Sequence, residues 1–121
     1  MKRSYHLFIL VSIALIAFSC SYVPMVEIPV EAPTDPMSFV NDIEPIFKEQ
    51  ACTGCHPSTA QLDLSTGNAY ASIMNGRVDL ENPEASLIYS KAEPDASHPA
   101  KYTNQQALYV LTWIQEGALD N

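Results

Sequence analysis

Basic residues are scarce in this 121-residue chain: six Lys and Arg stand against 14 Asp and Glu, for a net charge of −8. Nucleic-acid binding needs a basic face, so that class is excluded. The surplus acid suits a partner with a basic surface, because complementary fields speed encounter. It also simply keeps a small protein soluble. Long apolar runs are missing too. The main apolar stretch is the twelve uncharged residues Leu7–Phe18, short of the roughly 20 that span a bilayer. No strand of useful length, internal repeat or low-complexity tract interrupts the chain. Nor is there a pair of acids, a nucleophile triad or a phosphate loop, and Ser65-Thr66-Gly67 is too ordinary to count as one. Apolar content is nevertheless 47%, so disorder is not the expected state.

The short apolar run has a use. Lys2 and Arg3 form a positive start, Leu7–Phe18 an apolar stretch, and Ala17-Phe18-Ser19-Cys20 the end of the run. This order reads as a signal peptide. The lone cysteine just after it resembles a bacterial lipoprotein signal, in which residues 1–19 are removed and Cys20 becomes a lipid-bearing first residue. Ala17 stands where Leu is usual and Phe18 is bulky, so cleavage without lipid and an uncleaved anchor remain alternatives. The expected lipidated chain has 4 basic and 14 acidic residues, once Lys2 and Arg3 are gone.

Cysteine is scarce as well. Of three cysteines, Cys52 and Cys55 belong to one motif, and Cys20 is left over. An odd cysteine in a secreted chain needs an explanation, and acylation is one. Residues 20–37 then read as a tether, with Pro24, Pro29, Pro33 and Pro36 spread through it. Proline favours extended backbone, and sixteen residues at about 3.1 Å each reach roughly 50 Å. Val26, Ile28 and Val30 alternate and leave packing along the domain open.

Residues 38–121 are expected to form one all-α domain. Phe39, Val40, Ile43, Ile46 and Phe47 fall at helical spacing, with Pro45 kinking the helix or starting a second. A second helix is predicted over about Thr66–Asn75, stopped at Gly76. A third has Asn82 as cap, Pro83 at its first position, Leu87 and Ile88 on its apolar face and Pro94 beyond its end. The last is the clearest. Thr103 and Gln106 make a capping box, Ala107, Leu108, Leu111, Ile114 and Ala118 form a stripe, and Gly117 stands as the C-terminal cap. A core of this size often needs a staple at its centre.

Cys52-Thr53-Gly54-Cys55-His56 supplies a candidate. C-x-x-C-H is the attachment pattern of a c-type haem. Two thiols on one helical turn reach the two vinyl groups, and the following imidazole meets the iron from the same side. Three other readings compete. A thioredoxin-like C-x-x-C follows a strand, structural zinc needs about four ligands, and a disulfide across two residues is strained.

The motif sits in a wider pattern. Ile43-Glu44-Pro45-Ile46-Phe47 precedes it. Leu62-Asp63-Leu64, Ser86-Leu87-Ile88-Tyr89 and Trp113-Ile114-Gln115-Glu116-Gly117-Ala118 follow in order. The chain from about Ser38 to Asn121 thereby resembles class I cytochrome c, in particular the small planctomycete-type haem domains that are common as bacterial lipoproteins. The resemblance implies three to five helices around one covalent haem c, with the first and last helices crossing where Phe39 or Phe47 meets the Leu108–Ile114 face. It implies a location outside the cytoplasmic membrane. It places the second iron ligand just before the last helix, commonly a Met followed by Pro. Here that place reads Ser97-His98-Pro99, which makes His98 the expected ligand opposite His56. Met74 and an open site are the alternatives. Arg77 and Trp113 are candidate donors to haem propionates, and Tyr102 a candidate cover for the haem edge. The function implied is a membrane-tethered electron carrier between redox proteins, not an enzyme. A haem sensor or small haem enzyme with an open iron site, or a haem subunit of a larger oxidoreductase, are the alternatives.

Overall fold

The structure is a computed structural model and describes residues 29–121. The signal segment and Cys20 lie outside the described residues, as does the first part of the expected tether. Four short α-helices account for the regular structure: α1 (Glu44–Glu49), α2 (Ala69–Met74), α3 (Leu87–Ser90) and α4 (Asn104–Gln115). No strand occurs among the described residues, and none of their helices is long and apolar enough to cross a membrane.

The first helix does not kink at Pro45; it changes type before it. Phe39–Ile43 forms a π-helical turn, and Glu44 N–H donates to Phe39 O, five residues back. Proline has no N–H to give to an α-helical ladder. The chain therefore widens upstream, and α1 begins with Pro45 in its first turn, where a missing N–H costs nothing. Ser38 caps the turn by accepting from Asn41 N–H. Asn121 accepts from Val40 N–H and Phe39 N–H, at 3.1 Å and 3.0 Å. The first helical segment is thus tied to Asn121.

Phe39 is the hinge of the core. Its ring lies 5.3 Å from Trp113 and 5.2 Å from Tyr70, edge-on to the latter. The first helical segment and α4 meet there, at Trp113. This contact also sets the rotation of α4. Ala107, Val110, Trp113 and Ile114 are buried, while Leu108 and Leu111, expected in the stripe, are only half-buried. Burying the largest ring outweighs burying two leucines. The ends of α4 are as expected. The Thr103–Gln106 capping box is formed in both directions. At the other end Gly117 N–H donates to Ile114 O and Ala118 N–H to Trp113 O, the paired bonds of a Schellman cap.

Two further expectations are corrected. The predicted third helix is broken. Pro83–Ala85 is one 3₁₀ turn, Ser86 is extended, and α3 follows. Ser86 is buried, and its hydroxyl accepts from Asp79 N–H and donates to Asp79 O. A side chain that bonds neighbouring backbone in this way competes with the helix. The expected tether is also shorter than residues 20–37. Met37 belongs to the core, and its N–H donates to Glu116 Oε2 at 2.8 Å. Glu31 N–H donates to Gln105 Oε1, and Gln105 Nε2 donates back to Glu31 O. The chain from Glu31 to Met37 therefore runs along α4 from its first turn to its end.

α1 ends at Ala51 in the left-handed conformation, φ 54°, directly before the cysteine motif. A side chain there costs about 1–2 kcal/mol. Ala51→Gly should stabilise the protein by about 1 kcal/mol after the added entropy of the unfolded glycine, read as a raised urea midpoint at unchanged slope.

Candidate functional site

The motif folds as one tight turn. Cys52–Gly54 is a 3₁₀ turn. Cys55 N–H and His56 N–H both donate to Cys52 O, at 3.1 Å and 2.9 Å. Both cysteines are free thiols. Cys52 is buried and Cys55 exposed. Burial pushes the Cys52 thiol above its ordinary range.

Cys52 and His56 form one wall of a cavity of about 270 Å³. Leu62, Leu64 and Arg77 line a second wall, and Leu87, Ile88, Lys91 and Ala92 of the α3 region a third. His98 and Tyr102 close it from the loop before α4. Hydrogen bonds cross-link these walls. Leu64 N–H donates to His56 O at 2.9 Å, and Ile88 N–H to Arg77 O at 3.2 Å. Tyr102 OH donates to Ile88 O at 2.9 Å.

The two imidazoles lie nearly parallel at this cavity. Their ring centroids are 6.2 Å apart and their planes differ by 15°. His98 Nδ1 lies 2.7 Å from Ala100 O. A carbonyl only accepts, so Nδ1 carries the proton and Nε2 keeps its lone pair. A ring held in one tautomer through its other nitrogen is the usual arrangement of a metal-ligating histidine.

The charge around the cavity is unlike that of the chain. Residues 29–121 carry all the acids but Glu27 and all the bases but Lys2 and Arg3, hence 13 acids and four bases. Two of the four bases, Arg77 and Lys91, line the cavity, and none of the acids does. The guanidinium of Arg77 donates to the carbonyls of Ser72, Asn75 and Gln61. These neutral partners orient its charge without cancelling it.

Cys52, His56 and His98 thus share one cavity, with Cys55 on the adjoining turn. Arg77 and Tyr102 line it as well. Trp113 does not: its indole N–H donates to Leu119 O at 2.9 Å, and its ring packs in the aromatic core. Met74 is half-buried against the core and is not a lining residue. Leu87 and Lys91 escaped the sequence reading as site residues. Leu87 was expected in the core with Ile88, yet it is 48% exposed at the cavity. Neighbouring positions on a helix do not face one way, and that signal was available.

No group of three or more His, Cys, Asp or Glu side chains is gathered as a metal-ion site among the described residues. No protein-family model, curated protein or solved structure matches this chain.

Burial holds the Tyr102 phenol protonated well above the ordinary tyrosine range, with nearby Cys52 adding to the effect. The unfolded chain releases that proton near pH 10. Above this pH the folded state binds more protons than the unfolded one, so stability falls as pH rises. Tyr102→Phe should flatten the decline of urea midpoints from about pH 9 to pH 11.

Proposed function

We propose that this protein is a monohaem c-type cytochrome of the class I type that carries single electrons outside the cytoplasmic membrane. The observation that carries this reading is the pair of nearly parallel imidazoles beside the cysteine turn. Two imidazoles bonded to one metal ion through ring nitrogens, at about 2 Å per bond, hold their centroids roughly 6 Å apart. The observed 6.2 Å fits such a pair. Two histidines alone make a poor site for a bare ion, and among the described residues no third His, Cys, Asp or Glu is gathered with them as a metal-ion site. A planar group that brings its own equatorial ligands fits better.

The lining supports the same group. It is mostly apolar, carries Arg77 and Lys91 and contains no carboxylate. That combination suits a flat apolar molecule with anionic edge groups. Cys52 and Cys55 would hold it by thioether bonds, and His56 and His98 would ligate its iron from opposite sides. The competing uses of C-x-x-C fare worse. α1, not the strand of a thioredoxin-like site, precedes the motif.

When bound, a haem supplies reversible one-electron chemistry at its iron. The chain's own residues decide how that chemistry is used. As a second iron ligand His98 would favour electron transfer over gas binding or peroxide chemistry. A second imidazole in place of a thioether leaves the reduction potential lower. Leu62, Leu64, Leu87 and Ile88 keep water from the cavity floor, while partly exposed Leu87 leaves an apolar edge for approach. The acidic remainder of the surface favours partners with basic faces.

Lipidation at Cys20 would tether this domain to a membrane in the periplasm or at the outer membrane of a bacterium. Glu31 onward docks on α4, so a lipid at Cys20 would keep the domain close to the membrane.

His98→Ala should convert a low-spin spectrum that reacts only slowly with carbon monoxide into a high-spin one that binds it within the mixing time. His98→Met should raise the reduction potential and add the far-red absorption band of a sulfur–iron bond. A wild type that already shows this band, or that binds carbon monoxide as fast as His98→Ala, contradicts the assignment.

A further inference from the structure

His98 sits on a long loop, from Glu93 to Lys101, between α3 and the Thr103 cap. Ordering such a loop costs conformational entropy, so something must hold the ring in place. Three ties span the loop or lie within it. Lys101 Nζ donates to Pro94 O at 3.1 Å, but this bond is exposed. Ala96 N–H donates to Glu93 O, which is local. His98 Nδ1 donates to Ala100 O, two residues on. None of these fastens the loop to the rest of the cavity.

Tyr102 does. Its N–H donates to Ala92 O at 2.7 Å and closes the base of the loop. Its OH donates to Ile88 O at 2.9 Å, in a bond that is fully buried. Ala92 N–H turns to Tyr89 O instead of reaching back four residues, so the end of α3 leaves Ile88 O for the phenol. Ile88 N–H in turn donates to Arg77 O. One side chain thus joins the His98 loop, α3 and the Arg77 wall, while its ring lines the same cavity as His98.

We propose that Tyr102 is a positioning residue that keeps His98 on the haem iron; this rests on the reading of His98 as the sixth ligand. The hydroxyl sets how often the loop lifts the imidazole away, and the ring only fills space. Removing the hydroxyl leaves Ile88 O buried without a partner and loosens the base of the loop.

The test is the rate at which carbon monoxide binds the reduced holoprotein, since it enters only when His98 leaves. Tyr102→Phe should bind about three- to tenfold faster, the factor that a net hydrogen bond is worth. Tyr70→Phe is the control. Tyr70 OH also donates to a backbone carbonyl, Ala118 O at 3.0 Å, but in the aromatic core away from the cavity. It should lose comparable stability and keep the wild-type rate within twofold. Equal acceleration in both variants, or none in Tyr102→Phe, overturns the proposal. A second measurement needs only the wild type. On binding carbon monoxide, amide exchange at Ala96 should quicken while the Tyr102 amide stays slow. A Tyr102 amide that exchanges as fast as the loop overturns the proposal too. A wild type that is high-spin when reduced overturns the ligation reading and this proposal together, whereas a low-spin wild type with an unaltered Tyr102→Phe rate overturns this proposal alone.

Discussion

Two nearly parallel imidazoles lining one mostly apolar cavity are what the rest of this molecule positions. His56 is fixed by a turn whose N–H groups converge on Cys52 O, and by the bond from Leu64 N–H to its own carbonyl. His98 is fixed in tautomer by Ala100 O. Neither position is stable by itself: one lies on a single 3₁₀ turn, the other on a loop. Their spacing depends on the walls around them, which are braced by the bonds from Leu64 to His56, Arg77 to Gln61, Ile88 to Arg77, and Tyr102 to Ile88 and Ala92.

These walls need a second, independent support, and the aromatic core supplies it. Phe39, Tyr70 and Trp113 pack together on the side formed by the first helical segment, α2 and α4. The capping of α4 at both ends and the ties of Asn121 to the first turn close that half without help from the cavity. The division explains how a chain with short helices keeps an apolar space at its side. One half holds itself together, and the other walls the cavity.

The parts legible in the sequence are those written in adjacent residues. The cysteine turn, the Thr103–Gln106 cap and the Gly117 stop are local patterns, and the structure has all three. His98 was legible only through a resemblance in the order of motifs; the cavity brings it together with His56. What periodicity missed depends on distant partners. Val110 and Trp113 displaced Leu108 and Leu111 from the buried stripe because Phe39 lies where it does. Ser86 broke a helix because Asp79 offers both a donor and an acceptor. Glu31 docks because Gln105 presents an amide with both functions. Each is a contact between residues far apart in sequence, or a side chain winning against its own helix.

The central claim is that Cys52 and Cys55 hold one haem covalently. Intact mass of the mature protein, made in cells equipped for haem attachment and then denatured and acid-extracted, tests it most directly. The account predicts a chain heavier by one haem that survives extraction, and no such product from a Cys52→Ala, Cys55→Ala double variant. A chain of unmodified mass whose two thiols react freely with an alkylating reagent would contradict it.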